Sequence, residues 1–393
     1  MTTIEHPPAR SRMSGRLAVV AVAVATFSVV TTEMLPVGLL TGIGTGLEVS
    51  DGTAGLTMTV PGLVAAVAAP SVTLALGRTD RRRALVGLAG LLAAANLLSA
   101  VAPSFPVLVA ARVLVGVCIG GVWAIAAGLA VRLVPARSAG RATMLIFSGI
   151  AVASVLGVPV GTLAGDLWGW RAAFAVMGLV ALAATGALAA LLPPLPVERA
   201  ARVSDVPGLL RAGRVRLGLL TVLLLVTGHF AAYTYVRPLL ERIPGFDAGA
   251  VSATLLLYGV AGVAGNFLAG TLSRDPRRPL LVICGSLAAV TAAMPLVAGG
   301  AAGATVLLAL WGLAYGGVSV STQKWLLTVA PHAPEGVSAL FVAAFNVAIS
   351  LGALLGGRVV DAASPLAVMP LGGLLALGAL AATAAGGRRR RRN

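Results

Sequence analysis

Charge is scarce in this chain. Only 11% of its 393 residues are charged, while 58% are hydrophobic; a water-soluble domain carries about 25% charged residues. That leaves too few polar side chains to cover a soluble surface, which points to a polytopic membrane protein. Lysine is nearly missing: Lys324, flanked by Gln323 and Trp325, is the single one. A P-loop needs Gly-Lys-Ser/Thr to cradle phosphates, so no nucleotide-driven pump of that type is encoded. The three histidines, His6, His229 and His332, lie far apart, and no His/Cys cluster has metal spacing. No Gly-x-Ser-x-Gly elbow is present either. The expectation is therefore no metal, no cofactor and no enzyme. Cys118 and Cys284, the only cysteines, fall inside apolar runs and read as small hydrophobes rather than a disulfide. No small-residue cleavage site follows the first apolar run, which reads as a retained helix.

What is present is a series of helix-length apolar runs, most of twenty residues or more. These suit spanning helices; barrel strands would be segments of about ten alternating residues. The pattern predicts an all-α membrane protein with twelve spans in two six-helix bundles. The spans are 17–40, 54–76, 84–103, 106–130, 143–165 and 172–193, then 217–240, 249–272, 279–298, 303–328, 336–357 and 364–385. By this reading 1–16 is an N-terminal tail, 17–193 one bundle, 194–216 a polar linker, 217–385 the second bundle and 386–393 a basic tail.

The net charge of +16 comes from 28 arginines and one lysine. Most of the arginines sit in alternate loops, as the positive-inside rule requires, so both termini are expected in the cytoplasm. That distribution replaces a nucleic-acid reading. Arg388 to Arg392 are placed to touch anionic lipid headgroups, at about 1 kcal/mol per basic residue. The expected location is the cell inner membrane, multi-pass, with the chain acting as a monomer.

The halves look duplicated. A shift of 195 residues lands Gly157 on Gly352, Gly161 on Gly356, Asp166 on Asp361 and Arg82-Arg83 on Arg277-Arg278. Internal repeats are common in secondary transporters, whose substrate sites lie near the midplane at the repeat interface. The loops after the second and eighth spans both carry Asp with an arginine pair. Asp80, Arg81 and Arg83, with Asp275, Arg277 and Arg278, are read as a cytoplasmic gate; the plain alternative is a positive-inside loop.

One carboxylate, Glu33, sits deep in an apolar run. An ionisable group at membrane depth costs about 2.5–3.5 kcal/mol on insertion scales and marks a functional site by default. Arg112 falls at similar depth in the fourth span, about 9–10 Å from the outer ends at 1.5 Å per residue. Arg112 is read as sensing or pairing with Glu33; the alternative is that it snorkels outward. Arg112, Gly116 and Gly120 recur at spacing four and share a helix face suited to close packing. In the fifth span, Gly149, Gly157 and Gly161 flank Pro159, which cannot donate a helix hydrogen bond and loosens that helix. His229, Asn346, Trp123, Tyr233, Tyr235 and Trp311 are candidates to line a substrate cavity, each with ordinary packing as its alternative.

Taken together, these features resemble the major facilitator superfamily, in its drug/proton antiporter and sugar-efflux branch. The run Thr32 to Leu40, Thr-Glu-Met-Leu-Pro-Val-Gly-Leu-Leu, is similar to the first-helix signature of bacterial arabinose-efflux and chloramphenicol-export permeases. Arg112 with Gly116 is similar to the superfamily's fourth-helix motif, and Gly157-Val158-Pro159-Val160-Gly161 to its antiporter motif. Gly169 to Phe174, Tyr233 to Pro238 and Gly265-Asn266 also resemble this branch. The loop after the second span departs from the family's Gly-x-x-x-Asp-Arg-x-Gly-Arg spacing. The resemblance implies proton-driven efflux of a small molecule. On that view Glu33 carries the proton, and one charge moving inward through 100 mV supplies about 2.3 kcal/mol. A sugar exporter is the rival in the same class. A non-transporting receptor or scaffold is the rival from another.

Overall fold

The structure is a computed structural model that describes residues 12–76, 79–126, 129–196, 206–271, 275–297 and 299–388. Among the described residues there is no β-strand. Twelve helices are long and apolar enough to cross a membrane. They are α1 (Gly15–Gly46), α2 (Asp51–Ala69), α3 (Arg81–Ala100), α4 (Phe105–Trp123), α5 (Ser138–Trp168) and α6 (Trp170–Leu191), followed by α7 (Gly213–Tyr233), α8 (Ala248–Thr271), α9 (Arg277–Val297), α10 (Ala301–Val329), α11 (Gly336–Ala362) and α12 (Pro365–Gly386). The all-α expectation of twelve spans therefore holds, with each span near its predicted place. Large apolar side chains such as Phe267, Val282 and Leu296 stand exposed on outer faces, where lipid tails would cover them.

Several helices outrun the expected spans. With 32 residues, α1 is about 48 Å long at 1.5 Å per residue, well beyond the hydrocarbon thickness of about 30 Å. Hydrophobicity marks only the part in the bilayer, whereas backbone hydrogen bonding carries the helix past it. Pro36 lies inside α1 without ending it, as membrane helices allow. Between α5 and α6 the chain reverses at one residue, Gly169, whose φ of 82° suits glycine. In the stretch expected as a linker, residues 197–205 lie outside the described set. A short helix, Val206–Arg211, precedes α7, which begins within that stretch at Gly213. The terminal residues 1–11 and 389–393 are also outside the described set.

Packing falls into two groups of six. In the first, α2 packs on α4, α3 on α6, and α1 on α5 and α6. In the second, α7 packs on α11 and α12, α8 on α10, and α9 on α12. Two contacts join the groups most extensively: α2 with α11, and α5 with α8.

The 195-residue shift has a structural counterpart. Gly157 and Gly161 let α5 lie against Thr31 and Leu35 of α1. Gly352 and Gly356 do the same for α11 against Thr227, Phe230 and Ala231 of α7. Just before Pro159 the α5 helix widens into a π-turn, Ala153–Gly157. Proline has no N–H to give and its ring crowds the carbonyl four residues back, so the helix takes up the slack there. Such turns often mark functional segments.

Candidate functional site

Glu33 lies in the middle of α1 and is 8% exposed. Among the described residues its carboxyl makes no hydrogen bond and no ion pair. Its neighbour Thr32 is the hub of a buried polar network. Arg112 Nη2 donates to the Thr32 carbonyl at 2.9 Å, and Arg112 Nε donates to the Thr57 carbonyl at 3.0 Å. Asn96 Nδ2 donates to Thr32 Oγ1 at 3.0 Å. Arg112 is fully buried, with its guanidinium 5.8 Å from the centre of the Phe174 ring. Its Nη1 makes no hydrogen bond among the described residues. Arg112 thus ties α4 to α1 and α2 through backbone carbonyls rather than snorkelling. Gly116 and Gly120 share its helix face as expected: a Cβ at Gly116 would lie 2.6 Å from the Pro61 carbonyl of α2, and one at Gly120 2.7 Å from the Ala69 nitrogen. Gly149 abuts the Ala23 carbonyl of α1, so α5 also approaches α1 through missing side chains.

The structure splits the expected cavity residues into separate places. His229, Tyr233 and Trp311 come together, and Trp311 Nε1 donates to His229 Nδ1 at 3.0 Å. Asn346 sits on α11 where it meets Gly62 of α2, its Nδ2 donating to the Val342 carbonyl. Trp123 packs against the first half's own core. Tyr235 belongs to the seam between the halves. Its hydroxyl donates to the Ala353 carbonyl at 2.7 Å, and the ring tip fills space left by Gly55 and Gly357.

The loops read as a gate act within their own halves in this structure. Asp80 caps α3, accepting from the Arg82 nitrogen at 2.8 Å, and also accepts from the Leu195 nitrogen at 2.7 Å. Arg82 then donates to the Ala189 carbonyl of α6. In the second half, Asp275 accepts from the Arg277 nitrogen at 3.1 Å, and Arg277 donates to the Thr383 carbonyl of α12 at 3.3 Å. Each Asp/Arg pair thus binds a half's third helix to its sixth. In the first half the side chain that does this is that of Arg82, while Arg81 adds a backbone bond, its nitrogen donating to the Leu195 carbonyl at 3.0 Å; Arg83 and Arg278 are exposed.

The strongest polar contacts between the halves were not anticipated. Arg237, just after α7, pairs with Asp166 at the end of α5, with Glu241, and with the Gly38 carbonyl of α1. Glu241 accepts from Thr41 Oγ1 at 2.7 Å. Asp361, at the end of α11, accepts from Ser50 Oγ and from the Gly52 nitrogen, both at 2.9 Å. These inter-half hydrogen bonds and ion pairs lie at one end of the bundle, where arginine is sparse. The signal for it was present in the repeat, since Asp166 and Asp361 are one of its matched pairs. Tyr258 and Tyr315, beside His229, were also missed, because an isolated tyrosine in an apolar run carries no pattern.

Comparison with known proteins agrees with this architecture. The Major Facilitator Superfamily profile matches residues 22–357. A protein of Pseudomonas aeruginosa named transcription regulatory protein OpdE is 36% identical over 368 residues, covering 92% of this chain and 90% of that one. Among solved structures, a bacterial homologue of the human lysosomal transporter Spinster, inward-facing and occupied, superposes with a TM-score of 0.75 at 14% identity, covering 97% of this chain and 98% of that one. The same homologue, inward-facing and unoccupied, gives 0.70 at 15% identity, with 96% of each chain covered. Fold and family make this a multi-pass membrane transporter rather than an enzyme, and the chain belongs to the Major Facilitator Superfamily.

Proposed function

We propose that this chain is a proton-coupled exporter of a small, mostly hydrophobic molecule, working by alternating access with Glu33 as the proton carrier. The observation that carries the reading is the setting of Glu33: a buried carboxyl within the apolar run of α1, making no hydrogen bond or salt bridge among the described residues, near enough to the Arg112 charge to feel it and one residue from the carbonyl that Arg112 holds. Burial disfavours the charged form of a carboxyl, so loading and unloading a proton there changes the cost of moving α1. Positive-inside counting puts the arginine-rich end in the cytoplasm. The halves, joined by polar contacts at the other end, then stand closed to the outside. Proton entry from outside, reorientation, and proton release coupled to cargo binding complete the cycle. The surroundings of His229 favour a flat, hydrophobic cargo over a sugar, which needs many hydrogen-bonding side chains.

The test is proton release from the purified protein on adding members of a panel of antibiotics and sugars. Release by one compound class in the wild type and none in Glu33→Gln is the expected result. Unchanged pH-dependent efflux in Glu33→Gln removes Glu33 as carrier. A second reading is favoured by one observation, the regulatory name of the Pseudomonas aeruginosa relative: a membrane sensor that binds a small molecule without moving it. Reconstituted vesicles separate the two, since a sensor builds no substrate gradient.

A further inference from the structure

Aromatic residues make up only 5% of this chain, and it has four tyrosines in all. Three of those four stand together around His229. Tyr258, Tyr233, His229 and Tyr315 form an offset stack with successive ring centroids 4.5, 5.0 and 3.3 Å apart and interplanar angles of 24°, 19° and 10°. Trp311 and Phe230 meet His229 edge-on at 5.7 and 4.9 Å. Three helices, α7, α8 and α10, contribute. Elsewhere the interior is mostly aliphatic, and its aromatics stand singly or in pairs such as Trp170 with Phe174, so plain packing did not require six rings here.

The polar tips of the stack are what packing does not explain. The hydroxyls of Tyr233, Tyr258 and Tyr315 make no hydrogen bond among the described residues, and the Tyr315 oxygen is buried without a partner. Buried polar groups are rarely left so, and an unmet one costs about 1–3 kcal/mol. Because His229 Nδ1 accepts from Trp311, the ring proton of the neutral imidazole sits on Nε2, a further donor that makes no hydrogen bond among the described residues. The cluster borders the seam between the halves. Gly259, next to Tyr258, would set a Cβ 2.8 Å from the Val155 Cα in the π-turn of α5. On the other side of that turn, Thr31 of α1 lies against Gly157, and its hydroxyl is also buried and unpartnered. Parallel ring faces edged with hydroxyl donors, beside the seam between the halves, match one kind of molecule.

We infer that the stack is the cargo subsite and that it takes planar, conjugated molecules carrying carbonyl, nitro or phenolic oxygens. Such a molecule extends the stack through its π-face, while its oxygens accept from the tyrosine hydroxyls and His229 Nε2. This rests on the exporter reading and narrows its cargo. Aliphatic sugars lack the π-face. Planar cations without oxygen acceptors leave the donors unmet.

The test is titration calorimetry of the purified full-length chain with quercetin, ethidium and arabinose. Quercetin binding in preference to the other two is expected. Tyr258→Phe and Tyr315→Phe keep the rings and delete single hydroxyls, so each is expected to weaken quercetin by about 3–10-fold, the range of one hydrogen bond. Gel filtration and melting curves establish that these near-isosteric variants fold. Glu33→Gln, which stays neutral like the protonated carboxyl, is expected to release no proton and to bind quercetin more weakly than wild type at high pH, with an affinity that no longer changes with pH; the Phe variants are expected to weaken binding at every pH, which keeps the two readings apart. Absence of quercetin binding, or equal binding by both Phe variants and wild type, overturns the inference. Glu33-dependent proton release driven by arabinose, with the Phe variants unaffected, overturns it and leaves the exporter reading standing.

Discussion

Asp166 and Asp361 occupy matching places, 195 positions apart, and each bonds across the seam to the opposite half. Asp166 at the end of α5 pairs with Arg237, and Asp361 at the end of α11 takes the Gly52 nitrogen and Ser50. A duplicated bundle has thus placed two polar ties about its pseudo-two-fold axis. One is an ion pair and the other is uncharged on its acceptor-seeking side.

That difference sets the first prediction. Removing one partner of a buried ion pair costs about 3–5 kcal/mol because the other charge is stranded. Arg237 keeps Glu241 as an ionic partner and the Gly38 carbonyl as an acceptor when Asp166 is removed, so its charge is not stranded and Asp166→Ala is expected to cost less, about 1.5–3 kcal/mol for the lost charged hydrogen bond. Asp361→Asn keeps an acceptor for the Gly52 nitrogen and is expected to cost under about 1.5 kcal/mol. A reporter cysteine at Val49, labelled with a membrane-impermeant maleimide, reads the result. Several-fold faster labelling in Asp166→Ala than in Asp361→Asn is expected; identical rates would mean the ion pair does not hold this end shut.

The glycine seams give a ranking. At Gly149 an added methyl would run into the Ala23 backbone carbonyl, which cannot move away. At Gly161 the nearest atom is the tip of Leu35, which can turn. Overpacking costs about 1–3 kcal/mol, so Gly149→Ala is expected to lower the melting temperature in detergent clearly and Gly161→Ala only slightly. The reverse order would contradict the packing of α5 on α1.

Which features were legible in the sequence follows from the physics behind each. Hydrocarbon demands long apolar runs, so the twelve helices could be read directly, although their ends could not, since α1 and α11 continue beyond the bilayer. Glu33 and Arg112 stood out because charge at that depth is costly. The ties made by Arg237 did not stand out: Arg237 falls in the last residues of the expected seventh span, Asp166 and Glu241 lie just past span ends where charge is ordinary, and their meeting depends on two halves folding against one another. Asp80 was legible as a residue of interest. Its job in this structure, capping α3 and holding the Leu195 nitrogen, was not, because capping and gating use the same carboxylate.

Arg112 offers a test of shape against charge. Its planar fork reaches two carbonyls on different helices, those of Thr32 and Thr57. A lysine keeps the charge but gathers its three donors on one nitrogen rather than on a planar fork, so it is expected to hold one carbonyl and lose the other. Arg112→Lys is expected to fold with a loss of about 1–3 kcal/mol for the unmet buried acceptor and to lose most proton-coupled transport. Full coupling in Arg112→Lys would show that charge alone suffices near Glu33.

The two capping aspartates separate a structural role from a gating one. Replacing an N-cap by alanine costs about 0.5–2 kcal/mol, whereas asparagine caps as well as aspartate. Asp80→Asn retains an acceptor for the Arg82 nitrogen at the start of α3, and Asp275→Asn retains one for the Arg277 nitrogen at the start of α9. If these residues serve only to start a helix and bind the third helix of each half to the sixth, Asp275→Asn is expected to melt within about 0.5 kcal/mol of wild type; Asp80→Asn, whose amide NH2 cannot accept from the Leu195 nitrogen, is expected to lose about 1–3 kcal/mol, and both are expected to transport normally. If the halves also meet at the arginine-rich end during the cycle through these charges, the Asn variants show the same stabilities but slow transport as much as the Ala variants do. Melting curves together with transport rates for the four substitutions decide between the two, because only gating slows the Asn variants' transport.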